Sequence, residues 1–284
     1  MIAANPPSSR QKISTEISPE NFKYLCDTVY NESGIVLDES KRYLLEARLS
    51  PIARSEGMTT IDSLCNLIRA AAGRPVRDKV VEAMTTNETL FFRDVKPFDA
   101  LKQVLFPEIT STNRPDRTVR LWCAASSSGQ EPYSIAMLWK EMAIAGWKLD
   151  ILATDLSDKM LERGRSGRYL QLEVNRGLPA VYLVKYFDRE ESEWIVKPEV
   201  RSMIRWRKFN LKHPMIGFGP FDLVFCRNVL IYFDQDTKQR ILNNFQTTLT
   251  DGGHLFLGAS ESTIGLDDTY ERRQVGPAVA YRPK

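Results

Sequence analysis

From Ser18 onward the apolar residues Phe22, Leu25, Cys26 and Val29 recur at three- and four-residue intervals, the period of a helix with one buried face. Ser18 followed by Pro19 reads as an N-cap and first helical position, and Gly34 as the stop. The runs "DESKRYLLEARLSPIARSEG" and "TIDSLCNLIRAAAG" keep the helical period without a strand signal. Residues 17–78 are therefore expected to form an all-helical N-terminal domain, with 79–92 a linker helix and segment leading into "TTNETLFFRD". The Pro- and Ser-rich residues 1–16 are expected to be disordered. From Val119 the period changes. The strand-like runs "TVRLWCA", "LDILATD", "FDLVFCRN" and "HLFLGAS" alternate with helical runs at 132–145, 157–165 and 235–249. That rhythm predicts an α/β sheet with crossover helices over residues 93–284. "AVAYRPK" is expected to add an antiparallel edge, and "WIVKPEVRSMIRWRKF" a small β insertion at about 186–209.

Composition narrows the chemistry. The net charge of +3 is too small to announce nucleic acid and compatible with an acidic partner surface. Cys26, Cys65, Cys123 and Cys226 form no CxxC pair, so no zinc or redox motif is written locally. With only His213 and His254, neither a His-ligated metal nor a His-based nucleophile triad is expected. The start "MIAANPPSSRQK" lacks a signal peptide's apolar core, and no apolar run reaches the length of a membrane span. A cytoplasmic protein is expected.

The turn after the first strand, "CAASSSGQEP", stands where open α/β sheets contact ligands, yet it holds a single Gly129. Small residues still allow close backbone approach. If Pro132 takes the first helical position, Glu131 falls at or beside the N-cap, where it would repel a pyrophosphate and attract an ammonium or sulfonium. It could equally be a helix cap. Asp155 ends the second strand where Rossmann-like folds place the acid that grips ribose hydroxyls, or it caps the helix starting near Ser157. A ribose end and a cationic end together describe S-adenosylmethionine.

In this order, "TTNETLFFRD", "SSSGQEPYSIAM", "ILATDLS", "GPFDLVFCRNVLIYFD" and "GGHLFLGASES" closely resemble the chemotaxis receptor methyltransferases, the CheR family. The resemblance runs from about residue 17 almost to the end. It implies a class I S-adenosylmethionine-dependent methyltransferase, Rossmann-like, with a small β insertion and a helical domain before it. It also implies a protein-glutamate O-methyltransferase that leaves S-adenosylhomocysteine, needs no metal, and acts as a monomer on the cytoplasmic helices of methyl-accepting chemoreceptors. Nucleic acid and direct membrane insertion are not implied.

By motif, Asn87, Thr89, Arg93, Glu131, Asp155, Asn210, Leu211, Arg227 and Asn228 resemble the family's cofactor contacts. Arg93 and Tyr232 resemble the residues flanking the reacting methyl and the substrate carboxylate. A glutamate carboxylate is ionised at neutral pH, so the scarcity of histidines is no handicap. The insertion looks shorter than in members that bind a C-terminal receptor pentapeptide, which implies action without that tether. Lys41, Arg42, Arg48 and Arg54 form a basic helix surface suited to acidic receptor helices, although Arg42 and Glu46 could simply pair. One rival is a methyltransferase for nucleic acid or a small molecule, and another is a non-catalytic cofactor-sensing adaptor. An NAD oxidoreductase is disfavoured by the missing GxGxxG and by Glu131.

Overall fold

A computed structural model describes residues 15–284, which divide into two compact units, one ending at Thr85 and one beginning at Thr86. Of the stretch expected to be disordered, residues 1–14 lie outside the described residues.

Among the described residues the first unit contains four α-helices: α1 (Pro19–Ser33), α2 (Arg42–Ser55), α3 (Ile61–Arg69) and α4 (Arg74–Ala83). Ser18 caps α1 by accepting from Asn21 N, and Gly34 ends it in the left-handed region at φ 82°. Leu25, Val29, Leu45, Leu49, Leu64, Ile68 and Val80 are fully buried and form the core. Helix α4 runs through the boundary expected at 78 and belongs whole to this unit.

The basic residues expected to dock a partner are largely engaged at home. Arg42 donates to Glu39 (2.6 Å) and to Ile17 O (2.9 Å) and stacks over Phe22 at 4.0 Å. Its partner is thus Glu39, one turn before it, and not Glu46. Arg48 donates to Ala83 O (3.2 Å) and Thr85 O (2.9 Å), the carbonyls that α4 leaves without helical partners. Lys41 donates to Val36 O at 3.1 Å, while Arg54 is exposed. Arg48→Met is expected to loosen the last turn of α4 by about 1–2 kcal/mol. Faster hydrogen exchange there, with the first turn of α4 unchanged, would be the sign.

The second unit is built on a seven-stranded sheet. Its strands are β1 (Thr118–Ala124), β2 (Lys148–Asp155), β6 (Ile204–Lys208), β7 (Phe221–Cys226), β8 (Leu249–Leu257), β9 (Tyr270–Val275) and β10 (Ala278–Pro283), in the spatial order β6-β2-β1-β7-β8-β10-β9. The first five strands of that order run parallel, and β10 and β9 close the far side antiparallel. All six residues of β7 are buried, as a strand covered on both faces requires. Helix α5 (Lys96–Ala100) runs through a π-turn, Leu101–Leu105, into α6 (Phe106–Thr110). Connections follow through α7 (Gln130–Met142), α8 (Asp158–Ser166), α9 (Gln171–Val174), α10 (Ala180–Tyr186), α11 (Pro198–Arg201) and α12 (Gln235–Gln246). Trp122 anchors one face of the sheet among Phe209, Phe218, Phe221 and Phe245, and its Nε1 donates to Thr154 Oγ1 at 2.9 Å.

The expected insertion is rearranged. Strands β3 (Arg168–Leu170), β4 (Phe187–Glu190) and β5 (Glu193–Val196) make a separate small sheet ordered β3-β5-β4, whereas β6 leaves it to pair with β2 at the edge of the main sheet. Edge position explains the arginines in β6: Arg205 reaches across to Asp150 with two contacts of 2.9 Å. Strand β10 lies inside the edge formed by β9, whose sequence "YERRQV" buries only its two ends and so shows no alternation. Among the described residues, no helix is long and apolar enough to cross a membrane.

Candidate functional site

The strand order reverses between β1 and β7, because the chain leaves β1 toward β2 on one side and returns to β7 on the other. A crevice opens at the carboxyl ends of such strands. Ala124 lies beside Thr154 and Cys226 in register, and Asp155 beside Lys208, so the loops after β1, β2, β6 and β7 converge there.

The loop after β1 is fixed along its length. Ala125 (φ 61°), Ser127 (φ 49°) and Gly129 (φ 97°) are left-handed. For Ala125 and Ser127 that conformation costs free energy and persists only where the surroundings impose it. Here Ser126 N donates to Thr154 O (2.8 Å), Ser127 N to Asp155 Oδ2 (2.8 Å), Ser127 Oγ to Asn87 O (2.8 Å), and Tyr169 OH to Ser128 O (2.6 Å). At Gly129 a Cβ would come within 2.6 Å of the Trp206 ring. This loop therefore reaches its shape with one glycine because neighbouring strands hold it.

Helix α7 begins earlier than the sequence suggests. Its first intrahelical bond runs from Tyr133 N to Gly129 O at 3.1 Å, so Gly129 is the N-cap and Pro132 the third helical residue. Proline fits there because the first-turn N–H groups have no helical partner in any case. Glu131 consequently sits inside the first turn and does not cap it.

Its carboxylate meets a guanidinium instead. Arg227, at the end of β7 and 2% exposed, donates to Glu131 Oε2 (2.8 Å), to Asp94 Oδ2 (2.6 Å) and to Arg93 O (2.9 Å). Burial pushes the Glu131 carboxyl above its ordinary value, against the opposing pull of Arg227 and then Arg93. The acid read from sequence as free to meet a cation is thus already paired. Asp94 shares the same guanidinium, so Arg227 is divided between two carboxylates. Phe92 (φ 50°), Asp94 (φ 67°) and Val95 (φ 48°) make the turn that carries Arg93, and Phe92 N is held by Ser134 Oγ at 2.9 Å. The half-buried Arg93 side chain donates to Glu88 O at 3.3 Å.

Asp155 is 6% exposed and accepts from Ser127 N through Oδ2 and from Ser157 N through Oδ1 at 2.9 Å. It does not cap α8, since Ser157 Oγ accepts from Met160 N at 3.1 Å. Beyond β6, Phe209 N donates to Asp155 O (2.9 Å), which brings the buried Asn210 and Leu211 against the end of β2. Asn87 and Thr89 line a depression of about 150 Å³ with Ser128, Gln130, Arg163 and Arg176. Asn228 is left-handed at φ 59°, and Tyr232 ends the short turn Leu230–Tyr232.

Glu131, Asp155, Asn210, Arg227 and Asn228 thus stand on or beside the loops that converge at the carboxyl ends of β1, β2, β6 and β7. Five buried side-chain polar atoms lack a hydrogen-bond partner among the described residues, and three of them, Ser126 Oγ, Arg227 Nε and Asn228 Oδ1, belong to these loops. Such atoms suit a polar ligand, with Asp155 at the end of β2 and Glu131 in the first turn of α7 as the acids beside it. Sequence reasoning did not single out Asp94 or the amide contact of Ser127. The clue for Asp94 lay in "FFRDV", an acid following the expected Arg93; for Ser127 there was none beyond the loop itself.

Gly177 supports the same segment from below. Its φ is 87°, and a Cβ would stand 2.1 Å from Phe91 O. Gly177→Ala is expected to displace Phe91–Arg93 and lower stability by at least about 2 kcal/mol, measurable by chemical unfolding.

Residues 87–278 match the family model described as CheR methyltransferase, SAM binding domain, and residues 20–85 match CheR methyltransferase, all-alpha domain. The chemotaxis protein methyltransferase Cher2 of Pseudomonas putida is 44% identical over 257 residues, which cover 88% of this chain and 93% of that protein. The chemotaxis protein methyltransferase 1 of Vibrio cholerae is 40% identical over 273 residues, covering 94% and 98%. The chemotaxis protein methyltransferase of Escherichia coli is 34% identical over 263 residues, covering 90% and 89%.

Proposed function

The chain belongs to the CheR methyltransferase family, and on that premise we propose that it methylates glutamate side chains of methyl-accepting chemoreceptors with S-adenosylmethionine, leaving glutamyl methyl esters and S-adenosylhomocysteine. The observation that carries this reading is the gathering of Glu131, Asp155, Asn228 and the orphaned polar atoms at the carboxyl ends of β1, β2 and β7. That rim lies within the segment matched by the SAM binding domain.

Bound there, S-adenosylmethionine supplies a methyl group on a positively charged sulfur. The protein's part is to hold and orient. Asp155, fixed by two amides, is the acid offered to the ribose hydroxyls. Asn210 and Leu211 flank the adenine, and Glu131 and Asp94, which share Arg227, stand at the amino-acid end. Asn87, Thr89 and Asn228 complete the contacts. Arg93 orients the incoming glutamate carboxylate, and Tyr232 lines its path. That carboxylate, with an ordinary pKa of about 4.3, is already ionised, so no general base is needed and positioning carries the catalysis.

The substrate is a receptor helix with acidic residues, and of the four basic residues expected to meet it Arg54 is the exposed one. The compact insertion, with strands of three or four residues and only Glu191 and Ser192 between β4 and β5, supports action without a C-terminal receptor pentapeptide. Rates of labelled-methyl transfer onto an intact receptor and onto one lacking its last residues test this. Equal rates are expected, and a steep loss on truncation would refute pentapeptide independence.

A further inference from the structure

Glu261 stands on the turn after β8. Its carboxylate accepts four backbone N–H groups: Oε2 takes Gly258 N (2.6 Å) and Asn228 N (2.8 Å), and Oε1 takes Val229 N (2.9 Å) and Ile231 N (3.3 Å). One side chain thus joins the carboxyl ends of β7 and β8. The segment it grips begins at Asn228, a non-glycine residue in the left-handed region with an unpartnered buried Oδ1. Such a conformation persists only where neighbours over-determine it.

The packing leaves little slack. A Cβ at Gly258 would stand 2.6 Å from Asn228 Nδ2 and 2.7 Å from Glu261 Oε2. On the other side, the preceding Arg227 is clamped by Glu131 and Asp94. The loop that carries Asn228 and Tyr232 is therefore gripped by its main chain from one side and by its first side chain from the other.

We infer that Glu261 is a positioning residue for methyl transfer, its carboxylate fixing the main chain of Asn228, Val229 and Ile231 so that Asn228 meets the cofactor and Tyr232 the reacting end. This rests on the site assignment proposed above. A carboxylate suits the task because both oxygens only accept. Glutamine would keep one accepting oxygen and turn an NH₂ group toward N–H donors, leaving them unsatisfied.

The test compares the full-length wild-type protein with Glu261→Gln and Glu261→Asp. Amide exchange is read without cofactor, S-adenosylhomocysteine affinity by calorimetry, and kcat and KM with a receptor fragment. In Glu261→Gln, exchange at Gly258, Asn228, Val229 and Ile231 is expected to speed up by about tenfold or more, with product affinity falling by a similar factor. The same variant should lose kcat while KM for the receptor stays within about twofold. Glu261→Asp, which keeps the charge on a shorter stem, should fall between and so rescue in part. If Glu261→Gln does not fold, Glu261→Asp is read against wild type on the same measures.

Unchanged exchange at the four amides overturns the inference, as does faster exchange with affinity and kcat intact. Equal losses in both variants, spread over amides throughout the fold, would mark a general stability role and overturn it too. A wild-type protein that binds S-adenosylhomocysteine yet never methylates receptor would refute the proposed function. The exchange and affinity measurements would still decide the role of Glu261.

Discussion

Arg227→Met is expected to unfold at markedly lower denaturant and to lose methyl transfer by about a hundredfold or more, the largest effect of any single substitution at the site. The side chain is 2% exposed and is the shared partner of Glu131 and Asp94. Removing it leaves a carboxylate in the first turn of α7 buried without its cation, and breaking a buried pair in this way costs about 3–5 kcal/mol. The turn carrying Arg93 would also lose its hold, since Arg227 donates to Arg93 O.

The effect should depend on pH in a definite direction. Burial already raises the Glu131 carboxyl above its unfolded value, so the folded state binds the proton more tightly than the unfolded chain. The folded state therefore loses stability as pH rises through that raised value. Without Arg227 the carboxyl rises further. The deficit of Arg227→Met relative to wild type should then be largest near neutrality and narrow as pH falls and the carboxyl takes up its proton. Arg227→Lys, with one ammonium in place of a fork, should fall between, because it cannot span both acids. A small deficit that is flat with pH would contradict the role given to the pair.

Asp155→Ala is expected to weaken S-adenosylmethionine and S-adenosylhomocysteine binding by about two orders of magnitude while leaving the protein folded. The carboxylate holds Ser127 N and Ser157 N, and hydrogen bonds to a charged group contribute about 1.5–3 kcal/mol each. Losing it frees the left-handed Ser127 and removes the acid offered to the ribose. Helix α8 keeps its own cap through Ser157, which is why folding should survive. Asp155→Asn should do little better, because its NH₂ group would face one of the two amides. Calorimetry with the product measures this directly. Affinity within about threefold of wild type would mean that the ribose end lies elsewhere.

The parts of this fold that could be read in advance are those that write a local period. The buried strands β1, β2, β7 and β8 are runs of apolar residues bounded by turn signals, and α1 announces both its ends with Ser18, Pro19 and Gly34. Strand β9 could not be read, because four exposed residues lie between its two buried ends, and β3 is three residues long. Strand β6 was legible as a strand but not as a member of the main sheet, since partnership with β2 is a matter of topology.

The site divides in the same way. Asp155 and Asn228 are marked by strand ends and by motif. The ion pair of Arg227 with Glu131 joins residues 96 apart in sequence, and the four-amide grip of Glu261 on Asn228, Val229, Ile231 and Gly258 uses main-chain donors that no side-chain pattern reveals. Charge reasoning took Glu131 as an acid free to meet a cation, whereas its carboxylate is paired with Arg227, which Asp94 shares.

The central claim, that this rim of the sheet esterifies receptor glutamates, is tested most directly by incubating the purified protein with methyl-labelled S-adenosylmethionine and a chemoreceptor cytoplasmic fragment, then treating the product with mild base. The account predicts label on glutamate side chains, released as volatile methanol by base and lost when those glutamates are replaced by alanine. Label that resists base, that falls on nucleic acid or a small molecule, or that never leaves the cofactor although the cofactor binds, would contradict it.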